Sequence, residues 1–132
     1  MTGEHDLNLM LTTLTPLLLE GTYVFTTFPN AKYGDHADLM PIASFQECEG
    51  LTLVIPESVA RDRNLPYDAV FKGVTLGVHS SLEAVGLTAV ISRKLTEYGI
   101  SANVIAAFFH DHVFVPSERA LEAMQALDEL RR

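Results

Sequence analysis

Residues 70–115, VFKGVTLGVHSSLEAVGLTAVISRKLTEYGISANVIAAFFHDHVFV, decide the architecture. The stretch reads strand, helix, strand, strand. Residues 70–79 form a predicted strand ending at His79. Ser80 and Glu83 have capping-box spacing, in which each side chain satisfies a free N–H of a helix start, so a helix is expected over 81–98. Within it Leu87, Ile91, Leu95 and Tyr98 lie about a turn apart and define a buried stripe. Gly99 supplies a left-handed stop. Residues 100–109 are almost wholly apolar, as in a central strand covered on at least one face. His110-Asp111-His112 turns the chain into a strand over 112–116. Pro116 and Ser117 then open a last helix, with Leu121, Met124, Leu127 and Leu130 repeating every three residues. A strand–helix–strand crossover is right-handed almost without exception. It puts the His79-Ser80-Ser81 turn and the His110-Asp111-His112 turn at one end of the sheet.

Upstream, the signals are shorter. Residues 6–13 predict a short helix that Pro16 prevents from continuing. After Gly21, the β-branched and aromatic run TYVFTTF predicts a strand over 22–28. Residues 29–41, PNAKYGDHADLMP, mix turn formers with charges and read as the mobile loop of the chain. Strands over 42–48 and 51–55, joined at Glu49-Gly50, form a hairpin. Pro56 stands where the first turn of a short helix, PESVARDR, tolerates it. Residues 64–68 connect. Each half ends in a hairpin followed by a helix, so the organisation is read as 1–68 and 69–132. Residue identity between the halves is weak, which leaves open both a second unit and an extension of one sheet.

The bulk properties exclude several classes. At 132 residues the chain is one domain's worth and long enough for a real core. Its net charge of -8 and nine scattered Lys and Arg argue against binding a phosphate backbone, so no nucleic-acid partner is expected. No apolar run approaches the roughly 20 residues needed to cross a bilayer, so no membrane partner is expected either. The start, with Glu4 and Asp6 and no basic residues, does not read as a secretory leader. The single Cys48 precludes a disulfide within the chain, which fits a reducing cytoplasm. Flanked by Glu47 and Glu49, it reads as a half-buried strand residue rather than a reactive thiol.

Few residues carry chemistry. His110 and His112, at i and i+2 on a strand, could join His79 in a three-nitrogen metal site. The plainer reading is a polar turn or pocket rim, and no metal or other cofactor is expected. Ser, His and Asp all occur at this end, but without a G-x-S-x-G elbow a hydrolytic triad is not expected. Glu47, Glu49 and Glu57 gather around the N-terminal hairpin. Paired carboxylates can do acid–base work, but charges on an edge strand equally block aggregation. His5 and His36 read as solvated. The chain is expected not to be an enzyme. Strand 100–109 has apolar residues on both faces (Ile105, Ala107, Phe109 against Val104, Ala106, Phe108), which predicts a symmetric homodimer if the rest of the chain leaves one face bare.

The segments HSSLEAVGLTAVISRKLTEYGISANVIAAFFHDHVFV at 79–115 and YVFTTF…ASFQECEGLTLVI at 23–55 resemble the ACT domain, in particular stand-alone bacterial ACT-domain proteins. The family is similar to the regulatory part of aspartate kinases and to arginine-sensing proteins. The resemblance implies an α+β, ferredoxin-like sandwich: an antiparallel-rich sheet with helices on one face, in one or two ACT-like halves. It implies a regulatory module that binds an amino acid or related metabolite. The positions it assigns to the ligand are Val78, His79, Ser80, Ser81, Leu82 and Gly86 at the strand-to-helix turn. At the start of the next strand it adds Ile100, Ser101, Ala102 and Asn103. The polar turn His110, Asp111, His112 is a further candidate. Asn103 stands where aspartate kinases tend to carry Asp, and an amide cannot hold an amino group by charge. Capping alone explains one of the serines, and tight packing alone explains Gly86. The alternative function is therefore a ligand-free interaction or structural subunit.

Overall fold

The structure, a computed structural model, describes residues 6–78 and 85–131. The chain forms two compact units. One spans Gly21–Phe71, and the other is built from the segments on either side of it.

In the Gly21–Phe71 unit, β2 (Tyr23–Phe28), β3 (Ala43–Glu47) and β4 (Gly50–Pro56) form an antiparallel sheet in the order β3-β4-β2. The predicted hairpin is present, with Glu47 paired to Gly50 and Ala43 to Val54. Period-two alternation turns Leu51, Leu53 and Ile55 inward with Val24, against Ala31, Leu39 and Ala60. The short helix α2 (Glu57–Asp62) follows, with Pro56 just outside it as the N-cap. Loop 29–41 is not the loose segment its composition predicts. Gln46 accepts the Tyr33 N–H (2.9 Å) and donates to the Ala31 carbonyl (3.1 Å). Asp38 pairs with Arg63 at 2.8 Å, and Leu39 is buried. Turn formers here mark a shaped loop whose polar groups are satisfied. Cys48 is exposed in the hairpin turn, not half-buried in a strand.

The other unit contains α1 (Leu7–Thr13), β1 (Pro16–Leu18), β5 (Phe71–Leu76), α3 (Leu87–Glu97), β6 (Asn103–Ala106), β7 (Asp111–Pro116) and α4 (Ala120–Asp128). β5 lies between β1 and β7, and β6 pairs antiparallel outside β7. Three helices cover one face. Met10 and Leu14 of α1, Leu87, Ile91 and Leu95 of α3, and Ala120, Ala123, Ala126 and Leu127 of α4 meet Val74, Leu76, Val113 and Val115. Removing one such side chain, as in Leu95→Ala, costs about 2–5 kcal/mol.

Four expectations need correction. Helix α3 starts at Leu87, not at residue 81: Gly86 is its N-cap with φ +102°, a conformation that costs an L side chain and stops the helix there. Gly86 therefore sits at the boundary, not a turn inside. The apolar run 100–109 yields a four-residue edge strand rather than a central one, because β7 takes the place beside β5. Of the three-residue repeat of α4, Leu127 is buried and Met124 and Leu130 pack against the core, but Leu121 is 79% exposed and Ala120, Ala123 and Ala126 complete the inner face, as a 3.6-residue period requires. Strand β1, three residues long, was not foreseen.

Candidate functional site

The site is built where β5 leaves the sheet. The Gly77 N–H donates to the Thr15 carbonyl at 2.8 Å, and a Cβ at Gly77 would collide with that oxygen, so only glycine lets β1 approach. Val78, half-buried, folds back, its N–H donating to the Leu76 carbonyl at 2.7 Å. His79, Ser80, Ser81, Leu82 and the Glu83 of the expected capping box lie outside the described residues. The chain returns at Val85, which is exposed, and at Gly86. The N-cap of α3 is Gly86, which has no side chain to offer a capping bond. A Cβ at Gly86 would stand 3.2 Å from the Leu7 Cδ2 of α1.

Register places the second polar turn beside this end. Thr75 Oγ1 lies 3.0 Å from His112 Nδ1, and a Cβ at Gly73 would lie 2.9 Å from the Phe114 ring. The two contacts set β5 and β7 antiparallel, with Leu76 beside Asp111 and Gly77 beside His110. The end of β5 and the 110–112 turn therefore share one end of the sheet, as the crossover predicts. Thr75, the hydrogen-bonding partner of His112, escaped sequence reading, since a threonine in a strand carries no signal of its own. His110 and His112 stand 6.5 Å apart between ring centroids. Burial pushes the His112 pKa down, and the His110 charge adds to this. Burial pushes Asp111 up, with the His112 charge opposing.

Other candidates fall elsewhere. Asn103 pairs with Phe114, near the far end of the β6–β7 hairpin, and its Nδ2 donates to the Phe114 carbonyl at 3.3 Å. Ile100 (buried), Ser101 (exposed) and Ala102 precede it. At about 3.3 Å per residue, Asn103 lies roughly 7 Å along the sheet from the Thr75–His112 contact and further from Val78. The structure thus does not bring 100–103 to the 78/110–112 end. Glu57 is a strand's length, roughly 20 Å, from Glu47 and Glu49, so no acid–base pair forms there. Glu57 is occupied by Thr22, Tyr67 and Arg61. His36 stacks on Phe28, ring centroids 4.0 Å apart. Among the described residues no group of three or more His, Cys, Asp or Glu could hold a metal, and no helix is long and apolar enough to cross a membrane.

An ACT-domain family model matches residues 2–72, and a second ACT-domain model matches 72–129. The chain belongs to the ACT-domain family, with two tandem halves of the ferredoxin-like α+β fold. It is 49% identical to a Vibrio cholerae protein of unknown function, described as a possible transport protein. The match covers 96% of each chain with a TM-score of 0.87. An Agrobacterium tumefaciens protein matches at 17% identity over 89% of each chain (TM-score 0.70). The ligand-free regulatory subunit of aspartate kinase from Thermus thermophilus matches at 10% identity, over 91% of this chain and 97% of its own (TM-score 0.66). No curated protein matches.

Proposed function

We propose that the protein is a small-molecule-binding regulatory module that senses an amino acid or related metabolite at the β5–α3 junction. Two ACT-domain matches in tandem support the class, and one of its structural neighbours is a regulatory subunit whose name specifies a ligand-free form. The observation that carries the reading is the junction itself. It is bounded by two positions where glycine is demanded, Gly77 and Gly86, and leads into α3, whose N-cap is Gly86 itself. The N–H groups of a helix's first turn and the helix dipole favour a carboxylate at such a start. Val78, His79, Ser80, Ser81, Leu82 and Gly86 are its proposed contacts, with His110, Asp111 and His112 beside them. Ile100–Asn103 stand outside it within one chain. The module acts on a separate partner rather than by catalysis.

Screening the twenty L-amino acids by thermal shift on the full chain tests this. A binder present at a hundredfold excess over its dissociation constant adds about 2.7 kcal/mol of apparent stability. No shift with any of them overturns the reading. A second reading, a ligand-free interaction subunit, draws on the exposed Phe108 and Phe109, whose rings meet edge-on at 5.0 Å beyond the edge strand β6. The same feature supports pairing of two copies. Light scattering of Phe108→Ser/Phe109→Ser is expected to show a monomer where the wild type is a dimer.

A further inference from the structure

Strand β3 is the outer strand of the sheet in the Gly21–Phe71 unit, bonded to β4 on one side and to no strand on the other. The two-residue turn Cys48-Glu49 makes Glu47 and Gly50 the closing hydrogen-bonded pair. Alternation then turns the N–H and C=O of Glu47, Phe45 and Ala43 toward β4, and those of Gln46 and Ser44 outward. Among the described residues no hydrogen bond reaches these four outward groups. Sheets blunt such an edge with central charges, proline or a cover. At its centre β3 carries instead Phe45, 71% exposed.

Side chains stand on both flanks of this edge. Period-two alternation puts Phe45 and Glu47 on one face of β3 and Gln46 on the other. There the Gln46 side chain accepts the Tyr33 N–H at 2.9 Å, which brings Tyr33, 83% exposed, to the same strand. The surrounding charge has one sign. Glu47, Glu49 and Asp35 are exposed, and Lys32 is the one Lys or Arg between residues 29 and 50. We infer that β3 accepts an extended basic peptide of a partner protein as an added strand, with an apolar residue against Phe45 and a Lys or Arg two positions away against Glu47. The outward groups of Ser44 and Gln46 supply main-chain hydrogen bonds, and the alternating side chains supply specificity. Opposite charges facing each other across a strand pair add to both. A second copy does not meet this chemistry: its β3, ASFQE, brings no cation, and two chains of net charge -8 repel. The inference goes beyond amino-acid sensing and stands independently of it.

The test is an NMR titration of the isotope-labelled full chain with the end-capped peptide TRTVTRT. Its arginines lie two positions to either side of the valine, so either strand direction sets one of them against Glu47. The controls are TETVTET and a TRTVTRT that is N-methylated at its three central residues, which removes the donors facing Ser44 and Gln46. TRTVTRT is expected to shift the amides of residues 43–47 and Tyr33 and to slow exchange at Ser44 and Gln46. Both controls are expected to bind about tenfold more weakly or worse. The same loss is expected for TRTVTRT on Phe45→Ser and on Ser44→Pro. Phe45 is exposed, and Ser44→Pro removes an outward donor but no bond to β4, so both variants keep the sheet. Shifts that miss residues 43–47, or no shift at millimolar TRTVTRT, overturn the inference. So does either control binding within about twofold of TRTVTRT. Sedimentation showing a wild-type dimer that Phe45→Ser or Ser44→Pro turns into a monomer also overturns it, since a second copy then fills the edge. Each of these failures leaves the amino-acid reading intact, and that reading fails by the thermal-shift screen alone.

Discussion

Two half-buried carboxylates, one in each unit, meet opposite fates. Glu57, in the Gly21–Phe71 unit, accepts from the Thr22 hydroxyl (2.8 Å) and the Tyr67 hydroxyl (3.0 Å) and pairs with Arg61 at 3.2 Å. The Thr22 hydrogen bond, helped by Tyr67 and Arg61 against the cost of burial, holds its pKa below the ordinary value. Asp111, in the other unit, has only the charge of His112 to oppose burial, and its pKa is raised. The same functional group is thus consumed by the fold in one place and left open in the other. Glu57 ties the start of α2 to the residue before β2 and to the 64–68 connector. Among the described residues Asp111 ties nothing.

The sharpest break of this comparison is Glu57→Ala. It strands the Thr22 and Tyr67 hydroxyls and frees Arg61, and is expected to cost about 2–3 kcal/mol, read from the urea midpoint. A loss under about 0.5 kcal/mol, the size of an ordinary surface substitution, would show that the clasp is ornamental. Gln46→Ala should cost about 1–2 kcal/mol. Its signature is local: amide exchange over residues 31–40 accelerates, since Tyr33 and Ala31 lose the side chain that holds them. Gly86→Ala comes next, at about 1 kcal/mol, from the positive φ and from the close approach of Leu7. If Gly86→Ala is neutral, helix α3 runs back past Leu87 and the open junction is lost.

Much of the fold was legible because alternation survives in short strands. YVFTTF, the hairpin at 43–56 and the stripe Leu87, Ile91, Leu95 each announce their buried face. The misreadings share a cause: local signals that tertiary context overrules. The Ser80–Glu83 spacing is a genuine helix-start pattern, yet Gly86, read from sequence as a ligand contact or a tight packing point, is the N-cap from which α3 begins. Apolar content told nothing about coverage in AAFF, because an edge strand and a central one use the same residues. Alanine carries little hydrophobic signal, so Ala120, Ala123 and Ala126 of α4 went unread while Leu127 was found and Leu121 proved exposed. At the site, the polar turn was found from its composition, but H-D-H drew attention to the histidines. Only the parity of β7 shows that Asp111 faces the helices while His112 faces away.

The smallest expected effect is also the one of unusual sign. Asp111→Asn removes a charge that the folded state holds at a cost, so at pH 7 the free protein should be unchanged or slightly more stable, within about 0.5 kcal/mol. Its dependence on pH distinguishes it from Glu57. The folded pKa of Glu57 lies below its ordinary value of 4.5; its stabilisation is complete above that value and is lost as pH falls through the folded pKa. The folded pKa of Asp111 lies above its ordinary value of 3.8; its ionised form penalises folding at neutral pH, and the penalty is relieved as pH falls through the folded pKa. Urea midpoints from pH 7 to 3 should therefore show the advantage of Asp111→Asn shrinking to nothing on acidification, while the deficit of Glu57→Gln also shrinks, from the opposite side.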